Sequence, residues 1–252
     1  MEENSEKKNH NYSPVAIIGL TFALLAGVAE ILSGLGNRWG VWNYRTGFAI
    51  LRWAAYCGGA AGIISLIGCI LARPGSKRRG LILSLIGLLI GIVVMGIPWS
   101  YWKRVRHVPA IHDITTNMDN PPRFVAILPL RKSGINTVQY GGPEIAAKQR
   151  EAYPDIVPLE LPLPPVQVFK HATNIARSLG WQLVDVNEPE GRVEATDTTF
   201  WFGFQDDIVV RITATDRGSR IDVRSVSRLG KSDLGTNAKR IRVYLKKLRE
   251  MG

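Results

Sequence analysis

The chain has 252 residues, a hydrophobic share of 46%, a formal net charge of +11 and two cysteines. Both cysteines, Cys57 and Cys69, fall inside apolar blocks, which excludes a disulfide or thiolate-metal framework for the remainder of the chain. A basic balance favours phosphate-bearing partners. After Lys103, however, Asp and Glu are interleaved with Arg and Lys, and neither a long basic run nor an aromatic stacking platform stands out, so nucleic acid is not an expected partner.

Residues 1–106 read as a membrane part. Apolar blocks at about 14–35, 47–72 and 80–99 are each close to or longer than the ~20 residues that a helix needs to cross the hydrocarbon core. The first block outruns the core of a signal peptide and no small-x-small site closes it, so a spanning helix is expected rather than a cleaved leader. Lys7, Lys8, Arg73, Lys77, Arg78 and Arg79 gather on one side, against Arg38, Arg45, Lys103, Arg104 and Arg106 on the other. The dense loop RPGSKRRG sets the expected orientation, with the N-terminus cytoplasmic and the C-terminal domain outside. Trp39, Trp42, Tyr44, Trp53, Trp99, Tyr101 and Trp102 fit one interfacial belt. Glu30 and Arg52 are ionisable groups within apolar blocks, expected to pair or to snorkel. The GxxxG spacings Gly58/Gly62 and Gly87/Gly91 favour close helix packing, either as a three-helix bundle or as a homo-oligomer of bundles.

Residues 107–163 read as an extended link, with Phe124 to Leu128 lying across the following domain and a short helix from about Pro143 to Ala152. The run PLELPLPP reads as a proline-stiffened spacer. His112 with Asp113 is an acid–base or metal-ligand candidate, although sequence neighbours rarely face one site.

Residues 164–252 read as an α+β core: a four-stranded antiparallel sheet flanked by two helices. A helix is expected from Pro165 to about Leu179, buried along Val166, Phe169, Thr173, Ala176 and Leu179. Strands follow at about Trp181 to Val186, Arg192 to Trp201, Asp207 to Thr215 and Arg220 to Arg228. A last helix from about Asp233 to Glu250 carries a stripe of Leu234, Ala238, Ile241, Leu245 and Leu248. The strand period turns Ile208, Val210, Ile212, Ile221 and Val223 toward the helices. It leaves Asp207, Arg211, Arg220, Asp222, Arg224 and Arg228 on an open face.

That face reads either as a solvated surface, its Arg–carboxylate pairs worth roughly 0.2–1 kcal/mol each, or as a site. Arginine suits bidentate recognition of carboxylate or phosphate, and the Gly230–Gly235 turn brings a helix start beside it. The ligand-binding candidates are Arg211, Arg224, Arg228, Ser232, Asp233 and Arg240, with His112, Asp113 and Asp207 secondary; Asp233 also reads as the N-cap of the last helix. GxSxG, HExxH and P-loop spacings are missing, and no cofactor or metal is expected.

Four ordered motifs carry a resemblance: IHDITTNMDNPPRF, YPDIVPL, EATDTTFWFGFQDDIVVRI and RSVSRLGKSDLGTNAKRI. Together they resemble the domain of unknown function family 1499, from about Ile111 onward. The resemblance implies a domain found in bacteria, commonly attached to membrane helices as here, and in plastids of photosynthetic eukaryotes, with no activity or catalytic residues to transfer; the location expected for this chain is a bacterial inner membrane. The favoured function is a membrane protein whose non-cytoplasmic α+β domain binds an anionic lipid, glycan or envelope protein. The alternative is a hydrolase of a phosphorylated or carboxylated envelope component, resting on Asp206, Asp207, His112 and the arginines.

Overall fold

The computed structural model describes residues 12–76, 78–106, 108–131 and 134–251. Lys7, Lys8 and Lys77 of the orientation count, and His107 at the start of the link, lie outside them. The chain forms two units, Met1–Lys103 with Trp201–Gly203, and Arg104–Phe200 with Phe204–Gly252.

The first unit contains α1 (Pro14–Arg38), α2 (Tyr44–Leu71) and α3 (Leu81–Val105), three helices long and apolar enough to cross a membrane. Pro14 opens α1 where a missing N–H costs nothing, and Asn43 caps α2 by accepting from the N–H groups of Arg45 and Thr46. The helices interlock through small residues. A methyl group added at Gly91 would stand 2.7 Å from the carbonyl oxygen of Gly58 and 2.8 Å from the nitrogen of Gly62. The two GxxxG stretches therefore meet one another inside the chain, and the homo-oligomer reading loses the surface on which it rested. Glu30 is buried, and its Oε1 has no hydrogen-bond partner among the described residues. No Glu30–Arg52 ion pair forms among the described residues, so that expected pairing is corrected.

The second unit is a six-stranded antiparallel sheet, not the expected four-stranded one. Strands β1 (Asp113–Thr115), β2 (Leu159–Leu161), β3 (Gln182–Asn187), β4 (Arg192–Thr198), β5 (Gln205–Thr215) and β6 (Gly218–Ser227) are ordered β1-β6-β5-β4-β3, with β2 also on β6. The two extra strands come from the stretch read as a link. Asp113–Thr115 pairs with Arg224–Val226, and Leu159–Leu161 pairs with Ser219–Ile221, so they share the outer edge of β6. PLELPLPP is thus an edge strand trimmed by prolines, a position at which a missing donor costs no ladder bond.

Helices α5 (Pro165–Ser178) and α6 (Thr236–Arg249) cover one face. Ile208, Val210, Ile212, Ile221 and Val223 point into that core as the strand period requires, against Val168, Phe169, Ala172, Ile175 and Ala176 of α5 and Ala238, Ile241, Tyr244, Leu245 and Leu248 of α6. Val166 is exposed, so the buried face of α5 is rotated from the expected one. Leu234 lies before α6 with φ 55 and is only half buried, because the chain turns there and at Gly235, φ 80, before the helix begins. A shorter helix, α4 (Gly142–Ala152), buries Gln149, whose side-chain amide pairs with both backbone groups of Thr115.

Candidate functional site

The opposite face of the sheet is not open. Residues 117–131 and 134–141 lie across it, with Phe124 and Ile127 packed on Val209 and Val226. Asp207, Asp222, Arg224 and Arg228 are all buried, and Asp207 is fully so. Three carboxylates and three arginines tie this cover down. Glu194 of β4 accepts the successive N–H groups of Val125, Ala126 and Ile127 at 2.8, 3.2 and 2.9 Å. Asp113 holds Arg224 through two bonds of 2.9 and 2.7 Å, and the same guanidinium donates to the carbonyls of Pro122 and Val138 between the rings of Phe124 and Tyr140. Asp207 accepts from Arg228, from Thr196 and, out of the cover, from Arg131. Arg228 also donates to Leu130 O and to Gln205 Oε1. Burial, and then the charge of Asp113, pushes the Tyr140 hydroxyl up to about 12.

On the helix side, Arg240 reaches from α6 to Asp197 and Asp206, each at 2.7 Å, and also donates to Ser225 and Asn237. Burial works against the charge of Arg240, but the two aspartates outweigh it and hold the guanidinium above its ordinary pKa. Asn237 in turn bridges Ser227 and the His112 carbonyl. Adjacent Asp206 and Asp207 face opposite sides, as strand geometry demands. Asp233 accepts from the N–H groups of Gly235 and Asn237 and so satisfies a first-turn donor of α6, but from two residues ahead of the N-cap, which is Gly235 and not the expected Asp233. Burial raises its carboxyl above the ordinary value, with those two donors acting in the other direction. Ser232 donates to Pro109 O and accepts from Leu234 N–H.

The expected candidates therefore divide. Arg224, Arg228 and Arg240 spend their donors on carboxylates and carbonyls, and Ser232 and Asp233 occupy the helix-start donors. Asp113 and Asp207 are saturated by arginine, and His112 is only half buried, its carbonyl taken by Ser227 and Asn237. Arg211 differs. It pairs with Asp222 and with Asn120 O, and it also lines a recess of about 250 Å³. Asn120, Pro122, Arg123 and Val125 of the cover form one wall of this recess, and Glu190, Arg192, Val209 and Arg211 of the sheet form the other.

Arg192 and Arg211 are direct cross-strand partners on β4 and β5. Two like charges placed opposite each other repel. Asp185, Glu190 and Glu194 answer Arg192, whose burial opposes its charge but is outweighed, so its pKa stays above the ordinary value. Arg123 is exposed and forms no ion pair among the described residues. Arg123, Arg192 and the cover's Arg131 escaped the sequence reading. The signal was present in Glu194 and Thr196, polar residues on the face of β4 opposite to Val193 and Ala195.

Three apolar helices followed by a six-stranded α+β domain, its arginines buried against aspartates under a polypeptide cover, define a membrane protein with an internally braced sheet domain. The chain belongs to the family described as protein of unknown function (DUF1499), which matches residues 113–248 and so takes in every strand. No curated protein and no solved structure matches the chain.

Proposed function

We propose that the protein is a non-enzymatic binding module, held in the bilayer by α1–α3, whose α+β domain takes up an anionic phosphate or carboxylate group at the recess between the cover and β4–β5. The observation that carries this reading is the convergence of Arg123, Arg192 and Arg211 on one recess, with Arg123 uncommitted to any carboxylate among the described residues. Arg192 and Arg211 are held in fixed orientations by their acidic partners, so little rotamer freedom is lost when a ligand docks on them. Arg123 supplies the charge not already matched.

Isothermal titration of the full chain in nanodiscs with inorganic phosphate and with a sugar carboxylate tests the reading. Saturable binding is expected for at least one of them, and Arg123→Ala should weaken it about tenfold, the equivalent of ~1.4 kcal/mol. Binding unaltered by Arg123→Ala, or none at low salt, would sink the proposal. The domain is proposed to lie outside the cytoplasm of a bacterial inner membrane, on the charge of the Arg73, Arg78 and Arg79 loop. An alkaline phosphatase fused after the last residue should then be active, and an inactive phosphatase with a fluorescent cytoplasmic reporter at the same place would reverse the orientation.

A further inference from the structure

The helical unit includes three residues from far along the chain, Trp201–Gly203. Trp201 Nε1 donates to the carbonyl of Ile31 at 3.0 Å, and its indole covers Gly34, where an added methyl group would stand 2.4 Å from the ring. Asn37 donates to the carbonyl of Phe202, whose ring lies 4.9 Å from that of Phe48.

The depth of this contact follows from helix geometry. The ends of the helices meet at one side of the unit, where Ser13 N–H bonds to Arg79 O and Gly80 packs on Ala16. Counting from there the ~20 residues that span ~30 Å of hydrocarbon puts the far boundary near Gly34 in α1, Arg52 in α2 and Ser100 in α3. Trp53, Trp99 and Trp102 lie at that level with their rings exposed, as interfacial tryptophans do. Trp201 occupies the same level.

The neighbouring Phe200 is 83% exposed, more than any other large apolar side chain among the described residues. The loop that presents it is closed on itself, because Thr199 N–H bonds to Phe204 O and Phe204 N–H bonds to Thr199 Oγ1, both at 2.8 Å. Each backbone group satisfied in this way lowers the penalty for entering a water-poor layer. On α1, Val28 and Ile31, within about 9 Å of that level, are 53% and 58% exposed.

From these observations we propose that the loop Thr199–Phe204 is a fourth membrane-contacting element, seated in the interfacial layer with Phe200 against lipid acyl chains. The loop extends the tryptophan belt of the helices, and the bilayer is its partner.

Photocross-linking of the full chain in phosphatidylcholine nanodiscs tests this directly. Phe200→p-benzoylphenylalanine should yield a lipid adduct by mass spectrometry, at a level comparable to Ile92→p-benzoylphenylalanine on the exposed side of α3. The same position-200 variant kept in the dark sets the background and should give at least tenfold less. A lipid adduct at position 92 with none above the dark background at position 200 overturns the proposal, as does an adduct at position 200 formed only with the protein itself.

Discussion

Asp207 shows at the residue scale why a charge-rich sheet face is not necessarily a binding site. Its carboxylate is fully buried and serves Arg131, Arg228 and Thr196 together. Removing one member of such a group leaves guanidinium charge stranded away from water. Asp207→Ala is therefore expected to cost about 3–5 kcal/mol, measured by urea unfolding of the full chain in micelles; a loss below ~1 kcal/mol, the range of exposed pairs, would mean that the pair is solvated. Asp233 behaves in the opposite sense. Its folded pKa is raised above the ordinary 3.8 by burial, so the folded chain holds that proton more tightly than the unfolded chain does. This contribution is fully present below the unfolded value and is lost as pH rises through the folded one. Asp233→Asn cannot titrate, and the stability of wild type relative to this variant should rise as pH falls through the raised folded value toward the ordinary 3.8. A pH-independent difference would contradict the assigned burial effect.

At the scale of elements, what was legible was whatever repeats. Strand alternation in β4–β6 sorted Ile208, Val210 and Ile212 from Asp207 and Arg211 correctly, and helical spacing marked Ala238, Ile241, Leu245 and Leu248. Strands β1 and β2 have three residues each, too few for a period, and Pro158 and Pro162 flank β2. The aliphatic run at 124–128 was legible as a segment crossing the domain. Which face it crosses was not, because the anchors are long-range pairs such as Glu194 with Val125–Ile127. That missing fact turned a covered face into an apparently open one. In the helices, GxxxG spacing was visible but its partner was not. Gly91→Ala should disrupt the helical unit, whereas Gly96→Ala, which meets nothing within 4 Å, should be close to neutral. Sodium dodecyl sulfate unfolding of the two variants checks this, and equal behaviour would remove the α2–α3 glycine contact from the account.

For the whole molecule, the division of labour among arginines is the central claim. Arg224, Arg228 and Arg240 brace the sheet to its cover and to α6, while Arg123, Arg192 and Arg211 face the recess. On the proposed reading the same residue type serves two roles, and Arg123, which forms no ion pair among the described residues, sets the recess apart from the braces, since Arg192 and Arg211 are themselves paired to carboxylates. The most direct measurement is a titration of the full chain in nanodiscs with inorganic phosphate, following arginine Nε–Hε resonances in ¹⁵N-arginine-labelled protein. The account predicts saturable shifts at Arg123 and Arg211, with Arg224, Arg228 and Arg240 unmoved and slow to exchange; shifts at Arg224, Arg228 or Arg240, or at none of the five, would contradict it.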